Sequence, residues 1–104
     1  MRVLLIPSHS HNLYEEFIRS TDLSVGVYRL DAGATDEQRP HSEDEVYYVI
    51  NGRAQFTSGG RTVDVVPQLC LFVPAHETHN FHDIVEPLEL LVFFGPAEGE
   101  RKTG

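Results

Sequence analysis

GATDEQRPHSEDEVYYVING, residues 33–52, decides how the rest of the chain is read. Its second half, EVYYVI, is rich in β-branched and aromatic side chains, which suit a pleated strand. Asn51 and Gly52 close it, and Asn-Gly accommodates the positive φ angles of a tight hairpin turn. Its first half carries Pro40, His41 and the acidic run Glu43, Asp44, Glu45. Alternation along the strand places Glu45, Tyr47 and Val49 on one face and Val46, Tyr48 and Ile50 on the other. A carboxylate heading an apolar face points either to solvent or into a polar pocket. Imidazole and carboxylate together suit borderline divalent metals, but an isolated His-x-x-x-Glu pair in a loop is more often solvated surface.

Working outward from this stretch, the period stays at two. Residues 53–57 read as the return strand, Ser58-Gly59-Gly60 as a turn, and 61–66 as a strand closed by Pro67. Residues 69–73 are a fully apolar strand in which Cys70 reads as a small core residue. Residues 79–85 and 88–94 read as two further strands divided by Glu86-Pro87. Upstream, 23–30 alternates as a strand, and 3–6 is an apolar edge strand stopped by Pro7. Between them, Asn12 and Glu15 resemble a capping box, and Leu13/Phe17 and Tyr14/Ile18 fall at i, i+4. That spacing predicts one short N-terminal helix over 13–20. About eight short strands with frequent turn signals predict an all-β antiparallel sandwich or barrel.

At 104 residues, one domain is expected, with an N-terminal strand and helix (1–22), a core (23–95) and a flexible tail (96–104). The net charge of −8 argues against a nucleic-acid binder, which needs clustered Lys and Arg. No apolar run reaches the roughly 20 residues of a membrane span, and the N-terminus lacks a cleavable-leader pattern. A soluble cytoplasmic protein with a small-molecule ligand is the expectation. A single cysteine excludes an intrachain disulfide.

The second histidine-bearing stretch is PAHETHNFHD, residues 74–83. His79 opens a strand and shares a face with Phe81 and Asp83, while His82 faces away. His76, His79 and His82 therefore do not form a three-ligand cluster, but His79 alone can meet a ligand pair on a neighbouring strand. His9 and His11 flank a serine-bearing turn and read as solvated. Asp36, Glu37, Glu43 and Asp44 read as an acidic rim. Tyr47, on the face of Glu45, is either a pocket phenol or a core aromatic.

The two stretches together resemble the paired motifs of the cupin superfamily. The first motif's frame is Gly33, five residues, Arg39, Pro40, His41, three residues, Glu45, six residues, Gly52. The second is Gln68, five residues, Pro74, Ala75, His76, two residues, His79, three residues, Asp83. The resemblance implies a small antiparallel jelly-roll barrel holding a metal in its mouth, and a homodimer. It implies His41, Glu45 and His79 as ligands of a divalent transition metal: iron, manganese, nickel, zinc or copper. Arg39 stands in the slot of the family's first metal histidine, and a cation cannot ligate a metal. Arg39 either points away or faces the pocket to bind an anionic group; Gln38 beside it offers an amide oxygen as a fourth ligand. Gln68 and His76 replace motif glycines, and Asp83 replaces an asparagine. The function implied is a metal-binding cupin acting on a small polar molecule by isomerase, dioxygenase or lyase chemistry. A non-enzymatic ligand- or metal-binding module and a metal-free structural barrel are the alternatives.

Overall fold

The structure, a computed structural model, describes residues 1–8 and 13–100. Six strands follow one another: β1 (Tyr14–Arg19), β2 (Ser24–Leu30), β3 (Asp44–Ser58), β4 (Arg61–Val65), β5 (Cys70–Val73) and β6 (His79–Gly95). They form one antiparallel sheet in the order β1-β2-β6-β3-β4, with β5 paired to β3 off this path. The all-β expectation holds, but the closed jelly-roll barrel, the eight strands and the helix do not. β1 and β4 end the strand path without pairing to each other, so the sheet is not closed into a barrel. Among the described residues there is no helix, and so none long and apolar enough to cross a membrane.

Residues expected to be helical form β1, pairing from Tyr14↔Tyr28 to Arg19↔Ser24. A register shift between Glu16 and Ile18 resets the alternation, so Tyr14, Phe17 and Ile18 are partly covered at a spacing that imitates a helix. A helix of two turns is marginal by itself, whereas the edge of β2 offers a ready ladder. Asn12, the expected cap, lies outside the described residues, as do His9 and His11.

The strand count falls because two expected turns lie inside long strands. Asn51-Gly52 sits within the 15-residue β3, and Glu86-Pro87 within the 17-residue β6. Burial in β3 runs through Glu45, Tyr47 and Val49, then changes phase to Gly52, Ala54 and Phe56. The β3–β6 ladder shows register irregularities across this same region, as a bulge requires. Tyr47 and Phe56 would stand roughly 30 Å apart along a straight strand, yet their ring centroids are 5.7 Å apart. The paired strands therefore bend back on themselves, and the sheet's inner face wraps a core of Tyr47, Val49, Phe56, Phe81, Leu88 and Leu90.

Residues 3–6 form no strand, and Val3 and Leu5 are exposed. Cys70 is exposed as well, because β5 buries only Val73. The turn after β5 is fastened to the segment before β3: His76 N–H donates to His41 O (2.7 Å) and Ala75 N–H to Asp44 Oδ1 (2.9 Å). Gln68 and His76, in the glycine slots, both keep a left-handed backbone (φ 74° and 69°). The turns before and after β5 thus adopt glycine-type φ without glycine, at about 1–2 kcal/mol for each residue.

Candidate metal centre and its cavity

β3 and β6 present Glu45 and His79 inward, as alternation predicts, while His82 turns outward to Thr57. Asp83 departs from the expected face: its φ of 49° breaks the phase, leaving it exposed and Ile84 buried. The bend brings β3's first half over the start of β6, so Glu45 meets His79 although His79 pairs with Ser58 in the ladder. His41 arrives from the loop pinned to the β5–β6 turn.

His41, Glu45 and His79 each offer one ligand atom, all within 4.8 Å of one another. His79 Nε2 lies 3.1 Å and His41 Nε2 3.9 Å from Glu45 Oε1. Metal–ligand bonds of about 2.1 Å put adjacent donors roughly 3.0–3.4 Å apart. The first distance already fits, and the second needs closure by about half an ångström. His79 Nδ1 is 2.9 Å from Glu77 O, so it donates there and leaves Nε2 turned to the cluster. Glu45 Oε1 and His79 Nε2 are buried with no hydrogen-bond partner. At 3.1 Å the two atoms attract each other, although their geometry falls short of a well-aligned hydrogen bond. Burial alone would lower the His79 pKa; the Glu45 carboxylate and the Glu77 carbonyl outweigh it and raise the value. An orphaned carboxylate oxygen facing an orphaned imidazole nitrogen, with a second imidazole beside them, fits a divalent ion. The His/His/Glu cluster is thus capable of coordinating a divalent transition metal, with positions left open.

A cavity of about 200 Å³ adjoins the cluster, and His41 and Glu45 line it. Tyr14, Tyr28, Val92 and Phe94 supply its apolar and aromatic walls; Gln38, Tyr47 and Glu98 complete the lining. Gln38 Oε1 accepts from the Tyr47 hydroxyl (2.8 Å), and its Nε2 donates to Asp36 Oδ2 (2.8 Å). The Gln38 amide is therefore already engaged on both sides. Burial and Glu45 raise the Tyr47 pKa well above the ordinary phenol value, so Tyr47 serves as a donor. Arg39 is exposed and does not line the cavity.

Four participants escaped the sequence reading. Asp36, expected on an acidic rim, is buried, accepting from the Tyr28 hydroxyl, Gln38 and Phe81 N–H. Glu43, from the same expected rim, is buried too. Tyr14 was concealed by its helical spacing; its ring packs over Gly26, where an added Cβ would fall 2.3 Å from the ring. Glu98 belongs to the expected tail, yet Ala97 is fully buried and Glu98 N–H donates to Ser24 Oγ (2.9 Å). Aromatic and β-branched enrichment in residues 14–19 was the available signal for Tyr14. No local pattern marks Asp36 or Glu98.

A family model described as a cupin domain matches residues 26–94. The chain belongs to the cupin family. An uncharacterized protein of Streptomyces coelicolor is 49% identical to this cupin over 85 residues, 82% of this chain and 81% of the relative. The DMSP lyase DddQ from Ruegeria pomeroyi superposes with a TM-score of 0.70 at 24% identity, over 82% of this chain. This cupin spans 42% of that lyase's length. KdgF from a Halomonas species superposes at TM-score 0.71 and 21% identity, covering 80% of this chain and 76% of that one. These two likenesses establish the fold.

Proposed function

We propose that this cupin binds one divalent transition metal through His41, Glu45 and His79 and acts on a small polar molecule in the adjoining cavity. The observation that carries this is the pair of buried, unpartnered atoms Glu45 Oε1 and His79 Nε2. A bound metal would supply a Lewis acid for a substrate oxygen at an open position. Glu45 would offset part of the metal's charge, the His79 Nδ1–H donation to Glu77 O leaves Nε2 free to ligate, and Tyr47 holds Gln38 against the cavity. The lyase DddQ shares this fold, which supports the lyase reading among the isomerase, dioxygenase and lyase chemistries that the family resemblance implies. The acidic balance, a net charge of −8, favours a small-molecule partner over a nucleic acid. The exposed free Cys70 suits a reducing compartment such as the cytoplasm. The exposed apolar N-terminal arm favours a homodimer.

Elemental analysis of protein purified without added metal, followed by turnover assays of the metal-loaded form, tests the reading. We expect about one ion per chain in the wild type and at least roughly 100-fold weaker retention in His79→Ala or Glu45→Ala. Full metal content in His79→Ala would sink the ligand assignment. A binding module would instead show ligand-raised melting without consumption of the ligand.

A further inference from the structure

The cavity's charge pattern indicates what it takes. No Lys or Arg is among the described residues lining it; the carboxylates lining it are Glu45 and Glu98. Glu98 is built into place. Its N–H donates to Ser24 Oγ, its carbonyl accepts from Arg19 Nη2 (2.7 Å), and Ala97 N–H donates to Thr21 O (3.2 Å). Arg19, whose guanidinium reaches the Glu98 carbonyl, is paired with Glu16 and Glu100. Glu98 Oε2 stands 3.6 Å from His41 Nδ1. His41 packs on Phe94 (4.9 Å between centroids), Phe94 on Tyr14 (6.4 Å), and Tyr14 on Tyr28 (6.4 Å), each pair edge to face. The Tyr14 hydroxyl is buried without a partner. One carboxylate and a run of aromatic rings around an apolar space is the chemistry that recognises organic cations.

We propose that the cavity selects a small molecule bearing an ammonium or other onium group, seated between Glu98 and the rings of Tyr14 and Phe94. This deepens the proposed function and rests on its reading of the cavity as the substrate site. Glu45 faces the cluster and Glu98 the onium position, and no Lys or Arg among the described lining residues is there to hold an anion. Glu98 faces Nδ1, across the His41 ring from the Nε2 that faces Glu45. The imidazole therefore stands between the onium position and the metal. A cavity of about 150 Å³ holds benzene, so this one of about 200 Å³ suits a ligand of slightly greater size.

Calorimetric titration with three matched probes tests this: choline, its uncharged carbon isostere 3,3-dimethylbutan-1-ol, and the anion 3,3-dimethylbutanoate. Each is titrated into metal-free and zinc-loaded protein. We expect saturable choline binding in both forms, about tenfold tighter than the isostere, with the anion weakest. Glu98→Gln should remove most of choline's advantage in the metal-free protein while leaving isostere binding there unchanged. Tyr14→Leu should act in the same direction. Equal affinities, preference for the anion, or no saturable choline binding would overturn the proposal. Failure of the metal reading shows separately, as wild-type protein that does not retain zinc.

Discussion

The two nitrogens of His79 face different groups, and that sets how the site responds to pH. Nδ1 is 2.9 Å from Glu77 O and Nε2 is 3.1 Å from Glu45 Oε1, an arrangement suited to the doubly protonated ring. Burial opposes the charged ring, but these partners raise its pKa above the ordinary histidine value of about 6.5. The metal-free fold thus holds this proton more tightly than the unfolded chain does. The resulting stabilisation is full below about pH 6.5 and is lost as pH rises through the higher folded value. Zinc requires Nε2 without its proton, so metal affinity runs the other way and increases over the same window. Melting temperatures measured against pH should therefore fall with rising pH for the metal-free protein and rise for the zinc-loaded one. His79→Gln should flatten both trends, and a metal-free melting temperature that climbs through the window would remove the linkage. The inward residues of this site were legible because strand alternation decides where Glu45 and His79 point. The fate of the 36–39 segment was not. Whether Gln38 or Arg39 faces inward depends on the tertiary contacts of Asp36 with Tyr28 and Phe81, and no local spacing encodes them.

β3 and β6 show how a turn signal can serve another purpose. Gly52 has the positive φ that Asn-Gly implies, 109°, but the chain continues as strand and only changes phase. The glycine is needed at the bulge because an added Cβ would lie 2.4 Å from Pro87 O and 2.7 Å from Leu88 Cα. Those are backbone atoms of the paired strand and cannot swing aside. Gly52→Ala should therefore cost roughly 2–4 kcal/mol, from positive φ and backbone displacement together. For a domain of this size that lowers the melting temperature by about 10 °C or more, which thermal denaturation would read. A change within about 2 °C would show that the ladder absorbs the methyl, and the bulge would then not depend on glycine. Composition marked these segments as β without ambiguity, from EVYYVI and from the apolar run ending in Phe94. What it misassigned was the role of Asn51-Gly52 and Glu86-Pro87, which read as strand ends and instead bend a continuing strand. The two dipeptides fall close together in the β3–β6 ladder, where Asn51 pairs with Glu89 and Arg53 with Glu86. That coincidence lets both strands bend at one place, and it is visible only once the strands are paired.

At the scale of the molecule, the all-β class followed from the period of two, whereas closure depends on register between ends distant in sequence. The sheet curls far enough to bring Glu45 to His79 and stops with β1 and β4 as free ends of its path. Open edges of this kind are normally covered, and the chain carries a segment suited to covering one. Met1, Val3 and Leu5 are 115%, 85% and 93% exposed, so this apolar arm finds no shelter within its own chain. Pro7 O accepts from Arg29, which tethers the arm's base to β2 beside the β1 edge. Phe72 on β5 and Val85 on β6 are exposed too. An arm with a continuous apolar run, anchored at its base, can add as a strand to an edge of a second copy, burying side chains as the pairing satisfies both backbones. Sedimentation analysis at tens of micromolar should therefore find a dimer. The double variant Val3→Asp, Leu5→Asp should be monomeric with an unchanged circular dichroism spectrum, since neither side chain contributes to the core cluster. A wild-type monomer, or a dimer that survives both charges, would place the interface elsewhere.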